Sequence, residues 1–174
     1  ARRLADVFVN AVQAQKHDEA VLMPSFHTLN GHIAAGAKTP ASADGRRAGA
    51  PLAKNVGPMS GLGRIDHTAV LLAAASVGQK RFTGGQAVDI SMDAHVLETT
   101  RGREALGHLL QTYFHEGGLQ VQINGVTVAD LQAAMAEPDR HRDMMVRIGG
   151  YSARFVDLSK TVQEDMVERL RCGL

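Results

Sequence analysis

Leu4, Val7, Phe8, Ala11 and Val12 recur at intervals of three and four residues, the spacing that lines one side of a helix. The chain therefore opens on an amphipathic helix, expected to end between Lys16 and Glu19. Residues 21–33 are largely apolar and are expected to run extended. Over residues 34–63 the pattern disappears, and Gly, Ala, Pro and basic residues follow one another without a period. This reads as a long loop, and long loops inside folded chains are usually functional or poorly ordered. Residues 69–77 form an almost unbroken apolar run, short enough for a buried strand or a short helix; we read it as a strand. Gly84 and Gly85 mark a turn, and residues 86–92 alternate as a strand does.

A second helical stripe follows at Leu106, Leu109, Leu110, Tyr113 and Phe114. Gly117 and Gly118 stop it, because glycine accepts the left-handed backbone that closes a helix. Leu119, Val121 and Ile123 then alternate with Gln120, Gln122 and Asn124, which predicts a strand with one apolar and one polar face. Thr127 and Asp130 are spaced as a helix-opening capping box, and Pro138 ends that helix. Residues 144–148 form a short apolar run into Gly149 and Gly150. Thr161 and Glu164 suggest a second capping box, with Val162, Met166, Val167 and Leu170 as the inner face of the last helix. Alternating helices and strands predict the α/β class, and the scarcity of complete βαβ units suggests part of a larger sheet or barrel.

Composition narrows the function. The 174 residues carry 19 Lys and Arg against 18 Asp and Glu, so no electrostatic attraction to nucleic acid or an anionic membrane is expected. The longest apolar stretch is too short to span a bilayer. Cys172 is the only cysteine, which excludes an internal disulfide and a multi-cysteine metal site within the chain. A lone thiol suits a reducing cytoplasm, the expected location. The sequence opens at Ala1 and shows no signal-peptide pattern, which leaves open a natural small protein or a segment of a longer one.

Residues 147–155 carry the most informative pattern, Arg-Ile-Gly-Gly-Tyr-Ser-Ala-Arg-Phe. Two adjacent glycines alone would be an ordinary turn. Three further segments accompany them in order: Asp44-Gly45-Arg46 leading to Pro51-Leu52, the strand segment Gly117-Gly118-Leu119-Gln120-Val121-Gln122-Ile123-Asn124, and the closing helix from Leu158 to Arg169. Together the segments resemble the C-terminal portion of the glycyl radical enzymes, the pyruvate formate-lyase-like family. Gly149 and Ala50 depart from the residues usual in that family at those positions.

The resemblance implies a fold and a chemistry. Residues 1–57 would be the tail end of a ten-stranded β/α barrel, and 58–174 the glycine radical domain, incomplete without the rest. Gly150 would lose an α-hydrogen and carry a stable radical, shared between its amide nitrogen and carbonyl. Arg147 and Tyr151 would brace the loop. His32 falls where related enzymes place a barrel-strand histidine near the substrate cavity; His27 reads as packed or solvent-facing. No bound cofactor is implied, because a radical-SAM activating enzyme would install the radical with S-adenosylmethionine and its own iron–sulfur cluster. The radical would pass to a cysteine outside this segment, in the parent chain or a partner lyase, for anaerobic cleavage of a small-molecule substrate. The complete enzyme is expected to be a homodimer. Cys172 matches no family motif and reads as a bystander.

The alternative within the same resemblance is an autonomous spare-part protein that restores an oxygen-damaged lyase. Two other readings are weaker. Gly31 to Thr39 approximates a phosphate-binding loop, but Ala37 stands between the glycine and the lysine. An anaerobic ribonucleotide reductase would need a cysteine-rich metal site that one cysteine cannot build. Asp44, Arg46 and Arg47 read as a salt-bridged loop rather than catalytic groups.

Overall fold

The computed structural model describes residues 1–15, 18–59 and 66–172. The first helix, α1 (Arg2–Gln13), forms where the periodicity starts it but ends at Gln13, short of the predicted Lys16 to Glu19. Its inner side is offset from the predicted stripe: Ala5 and Val9 are buried, whereas Leu4, Val7 and Phe8 stand exposed. Arg81 holds the helix from the polar side, donating to Asp6 and Asn10 at 2.6 Å each. Phe8 stacks on Phe26 and Phe82, and Ala5, Val9, Val77 and Phe82 form a small core beneath. The segment predicted to run extended contains no helix as far as Thr28, with a single bridge from Phe26 to Gln86, and Leu29, at φ 49°, and Asn30 then form a turn. A short helix, α2 (Gly31–Ala37), follows. This helix takes up the first four residues of the predicted loop; residues 38–59 contain neither helix nor strand, and residues 60–63 of that reading lie outside the described residues.

The run at 69–77 corrects the strand reading. It forms α3 (His67–Ala75), opened by Asp66, whose side chain accepts the Ala69 N–H at 2.9 Å. Val70, Leu71, Ala74 and Ala75 are buried and Leu72 is half exposed. A run apolar on both sides shows no period in sequence, so only the Asp66 cap distinguished helix from strand. The buried side packs on β1 (Asp89–Met92) through Val88, Ile90 and Met92.

Two helices, α4 (Ala94–Glu98) and α5 (Thr100–His115), carry the chain from β1 to β2 (Gln122–Gly125). The strands pair in parallel, Asp89 opposite Gln122 and Ile90 opposite Ile123, so this stretch is one βαβ unit. Tyr113, fully buried on α5, fixes the return. Its hydroxyl donates to the Gln120 carbonyl at 2.9 Å and accepts from Gln79 Nε2 at 2.8 Å. Gly118 crosses directly over the Tyr113 ring, where a Cβ would lie 2.3 Å from a ring carbon. Burial raises the Tyr113 pKa, opposed by the Gln79 amide that donates to its oxygen.

The remaining elements form a second core. Helix α6 (Val128–Ala136) opens on the predicted Thr127–Asp130 capping box. Strands β3 (Met145–Ile148) and β4 (Tyr151–Arg154) make an antiparallel hairpin with Ile148 opposite Tyr151. Helix α7 (Lys160–Arg171) closes the chain. Leu131, Val146, Ile148, Phe155, Met166 and Val167 meet between them. The second predicted capping box does not form. The cap position is Ser159, so Thr161 already lies inside the first turn, and Glu164 instead faces Lys160 at 3.9 Å. The class is mixed α/β, with two two-stranded sheets among the described residues.

Candidate functional site

Gly149 and Gly150 are the two loop residues of the β3–β4 hairpin. Both take positive φ, 43° and 118°, as a two-residue hairpin turn demands. At 118° an L side chain is strained whatever space surrounds it, so the backbone favours glycine at position 150. Gly149 is buried and Gly150 is exposed, so the hairpin presents one α-carbon at its tip.

The tip is held from the β2 side by two amides. Gln122 Oε1 accepts the Gly150 N–H at 2.9 Å and the Arg147 Nε at 3.2 Å. Asn124 acts as a substitute strand for Arg147: its Oδ1 accepts the Arg147 N–H at 2.7 Å, and its Nδ2 donates to the Arg147 carbonyl at 3.0 Å. Both amides are buried. The predicted strand is there, but its polar face is the inner one for these two residues. Val121 and Ile123 pack on the first core from the opposite side. A strand covered on both faces, one by apolar residues and one by a polar hairpin, looks in sequence like a strand with a solvated face. That is why Gln122 and Asn124 escaped notice as site residues. Arg147 donates to Gln122 Oε1 and, at 3.3 Å, to Ser152 Oγ.

Residues 27–30 cover the other side. His27 Nε2 lies 2.8 Å from the Gly149 carbonyl oxygen. A carbonyl only accepts, so this nitrogen carries the proton and donates. Asn30 Nδ2 donates to the Tyr151 hydroxyl at 3.4 Å. Between them Thr28 and Asn55 are locked reciprocally: Asn55 Oδ1 accepts the Thr28 N–H at 2.8 Å, and Thr28 Oγ1 accepts the Asn55 N–H at 3.0 Å. Asn55 holds a left-handed φ of 53° to make these bonds. The Asn55 amide also approaches Gly149, where a Cβ would sit 3.6 Å from its Nδ2 and 3.2 Å from the Leu29 Cα.

Behind Asn55 lies a buried charged cluster. Asn55 Nδ2 donates to Asp89 Oδ2, which also faces Lys54 Nζ at 3.7 Å. Burial pulls the Lys54 pKa below its ordinary value, opposed by the attraction of Asp89. Arg169 of α7 donates to the Pro58 carbonyl at 3.4 Å, and burial lowers its pKa against the pull of Asp165 and Asp89. His32 belongs to this cluster. It lies on α2 rather than on a strand, is 2% exposed, and places Nε2 3.1 Å from Asp165 Oδ2 of α7.

The Asp-Gly-Arg segment is organised differently from the expected salt bridge. The Arg46 guanidinium donates to the carbonyls of Thr39, Pro40, Arg47 and Ala50. Asp44 instead accepts from Ser42 Oγ and the Arg46 N–H, and these bonds hold its carboxyl pKa below the ordinary value. Cys172 caps α7 and is buried in the first core. Among the described residues, no group of three or more His, Cys, Asp or Glu side chains is placed to hold a metal ion. Nor, among them, is any helix long and apolar enough to cross a membrane.

The clamped glycine hairpin lies within a stretch that a known family model matches. The model of the glycine radical family covers residues 52–156, and the chain belongs to that family. Its relatives are glycyl radical enzymes. It is 30% identical over 150 residues to the (2S)-3-sulfopropanediol dehydratase of Klebsiella oxytoca, covering 84% of this chain and 18% of that protein. It is 30% identical over 174 residues to the formate acetyltransferase of Haemophilus influenzae, covering 95% of this chain and 23% of that one. The glycerol-bound B12-independent glycerol dehydratase from Clostridium butyricum superposes with a TM-score of 0.90 at 28% identity, over 97% of this chain and 22% of its own. The chain thus spans about a fifth of the length of the relatives it matches.

Proposed function

We propose that this chain is the radical-bearing C-terminal part of a formate-lyase-like glycyl radical enzyme, and that Gly150 carries the radical. The observation that carries the reading is the Gly150 α-carbon. It sits at the hairpin tip with φ 118°, its N–H held by Gln122, inside the region matched by the glycine radical family. An α-carbon radical is stabilised when amide nitrogen donates and carbonyl withdraws in one plane. A Cβ crowds that plane, and glycine has none.

In this reading a radical-SAM activating enzyme takes one hydrogen atom from Gly150. The C–H bond breaks evenly, leaving one electron on the α-carbon. The Gly150 radical then takes a hydrogen atom from a cysteine of the barrel, and the resulting thiyl radical acts on a small-molecule substrate, cleaving a C–C or C–heteroatom bond. Cys172 does not serve as that thiol, because it is buried at the end of α7 beside Glu168. Residues 1–57 form the tail of the ten-stranded barrel, residues 58–174 the radical domain, and the complete enzyme is a cytoplasmic homodimer. The open apolar side of α1 supports a barrel remainder packing there: Leu4 and Phe8 line a 390 Å³ cleft with Phe26, Val56 and Val77.

The test is anaerobic incubation with a reduced formate-lyase-type activating enzyme and S-adenosylmethionine, followed by electron-paramagnetic-resonance spectroscopy. One α-hydrogen remains on the radical carbon and splits its signal in two. A doublet is the expected result; a silent spectrum overturns the reading.

A further inference from the structure

The peptide unit joining Gly149 to Gly150 is gripped at both ends. It is planar, so its carbonyl and its N–H lie at opposite edges of one rigid plate. His27 donates to the carbonyl edge at 2.8 Å, and Gln122 accepts from the N–H edge at 2.9 Å. The two grips come from different parts of the fold, His27 from the segment locked to Asn55 and Gln122 from β2. His27 does something further. A Cβ on Gly150 would lie 3.5 Å from His27 Nε2 and 3.8 Å from Cε1, so the imidazole covers one of the two α-faces of Gly150.

Resting on the assignment of the radical to Gly150, we propose that His27 is a positioning residue for that radical. Spin on the Gly150 α-carbon spreads through its nitrogen toward the Gly149 carbonyl. The His27 N–H fixes that carbonyl, and with Gln122 it fixes the plane through which the spin spreads. The ring keeps one face of the radical carbon out of contact with other reactants.

The test compares the full 174-residue chain with its His27→Ala, His27→Phe and His27→Gln variants, each activated anaerobically as above. Phenylalanine keeps a ring without a donor; glutamine keeps a donor without the ring. Denaturation curves first establish that the variants are folded, and the readouts are the doublet line shape and its anaerobic decay. In the alanine and phenylalanine variants the doublet broadens and the spin decays roughly five-fold faster, the ratio that one ordinary hydrogen bond supplies. Glutamine recovers most of the lifetime. An unchanged line shape and lifetime in the alanine and phenylalanine variants overturns the role of His27 while leaving Gly150 as the radical site. So does glutamine behaving as alanine does. Absence of a doublet in the unsubstituted chain overturns the Gly150 assignment itself.

Discussion

Replacing Gly150 by alanine abolishes the radical doublet and leaves the chain folded. The two halves of this result have separate causes. A Cβ at position 150 meets only His27, at ordinary contact distance, so no clash forces the hairpin apart. The cost is conformational: a non-glycine residue at φ 118° loses about 1–3 kcal/mol. The radical is lost for another reason. The methyl group crowds the plane the α-carbon must adopt, and it occupies the α-position that faces the imidazole. Gly149→Ala is the informative neighbour. There a Cβ meets the Leu29 backbone at 3.2 Å, so the hairpin shifts, but the radical carbon is still a glycine. Spin counting after anaerobic activation, alongside urea denaturation of each variant, separates the effects. A doublet of ordinary intensity in Gly150→Ala contradicts the assignment.

Asp89→Ala is expected to cost about 3–5 kcal/mol, the loss typical when one partner of a buried ion pair is removed. Asp89 is nearly fully buried, faces Lys54 and accepts from the Asn55 amide. Alanine leaves the Lys54 ammonium buried without its counter-charge and the Asn55 amide without its acceptor. The pH dependence follows with a definite sign. Burial already lowers the Lys54 pKa in the folded chain, so the unfolded chain binds that proton more tightly. Stability therefore rises as pH climbs from the lowered value toward the ordinary lysine value near 10.5. Without Asp89 to favour the charged form, the folded value drops further, so the rise begins at lower pH and is larger in total. Pairing Asp89→Leu with Lys54→Met should recover most of the loss, because an apolar pair needs no compensation. Urea denaturation at neutral and alkaline pH reads all three. A cost below about 1 kcal/mol for Asp89→Ala, in the range of an exposed pair, contradicts the buried-cluster account.

The Asp89 cluster also shows why part of the site was invisible in sequence. Asp89 orients Asn55, Asn55 locks Thr28, and Thr28 sets the neighbouring His27 against the Gly149 carbonyl. Apart from the adjacent Thr28 and His27, each step joins residues tens of positions apart, and no local period or spacing encodes it. His27 stands exposed, so as a single residue it looks like any surface histidine. The Gly149–Gly150 turn, by contrast, was legible, because positive φ needs glycine and the flanking residues were distinctive. So were α5 and the Thr127–Asp130 cap of α6, where apolar spacing and the capping residues agree. The strand reading of residues 69–77 failed because Leu72 and its neighbours are apolar on the outer side too, which erases the helical period. The polar face of β2 concealed its role for a related reason. Gln122 and Asn124 are polar because they hold a polar hairpin backbone, and their burial answers the hydrogen-bonding needs of Arg147 and Gly150.

Oxygen offers the most direct test of where the radical resides. The chain is activated anaerobically, its spins are counted, and it is then opened to air and its fragments are weighed by mass spectrometry. A radical on Gly150 predicts backbone cleavage at that residue, with as many chains cut as spins lost. Chains that stay intact as the signal disappears, or that break at a different residue, contradict it.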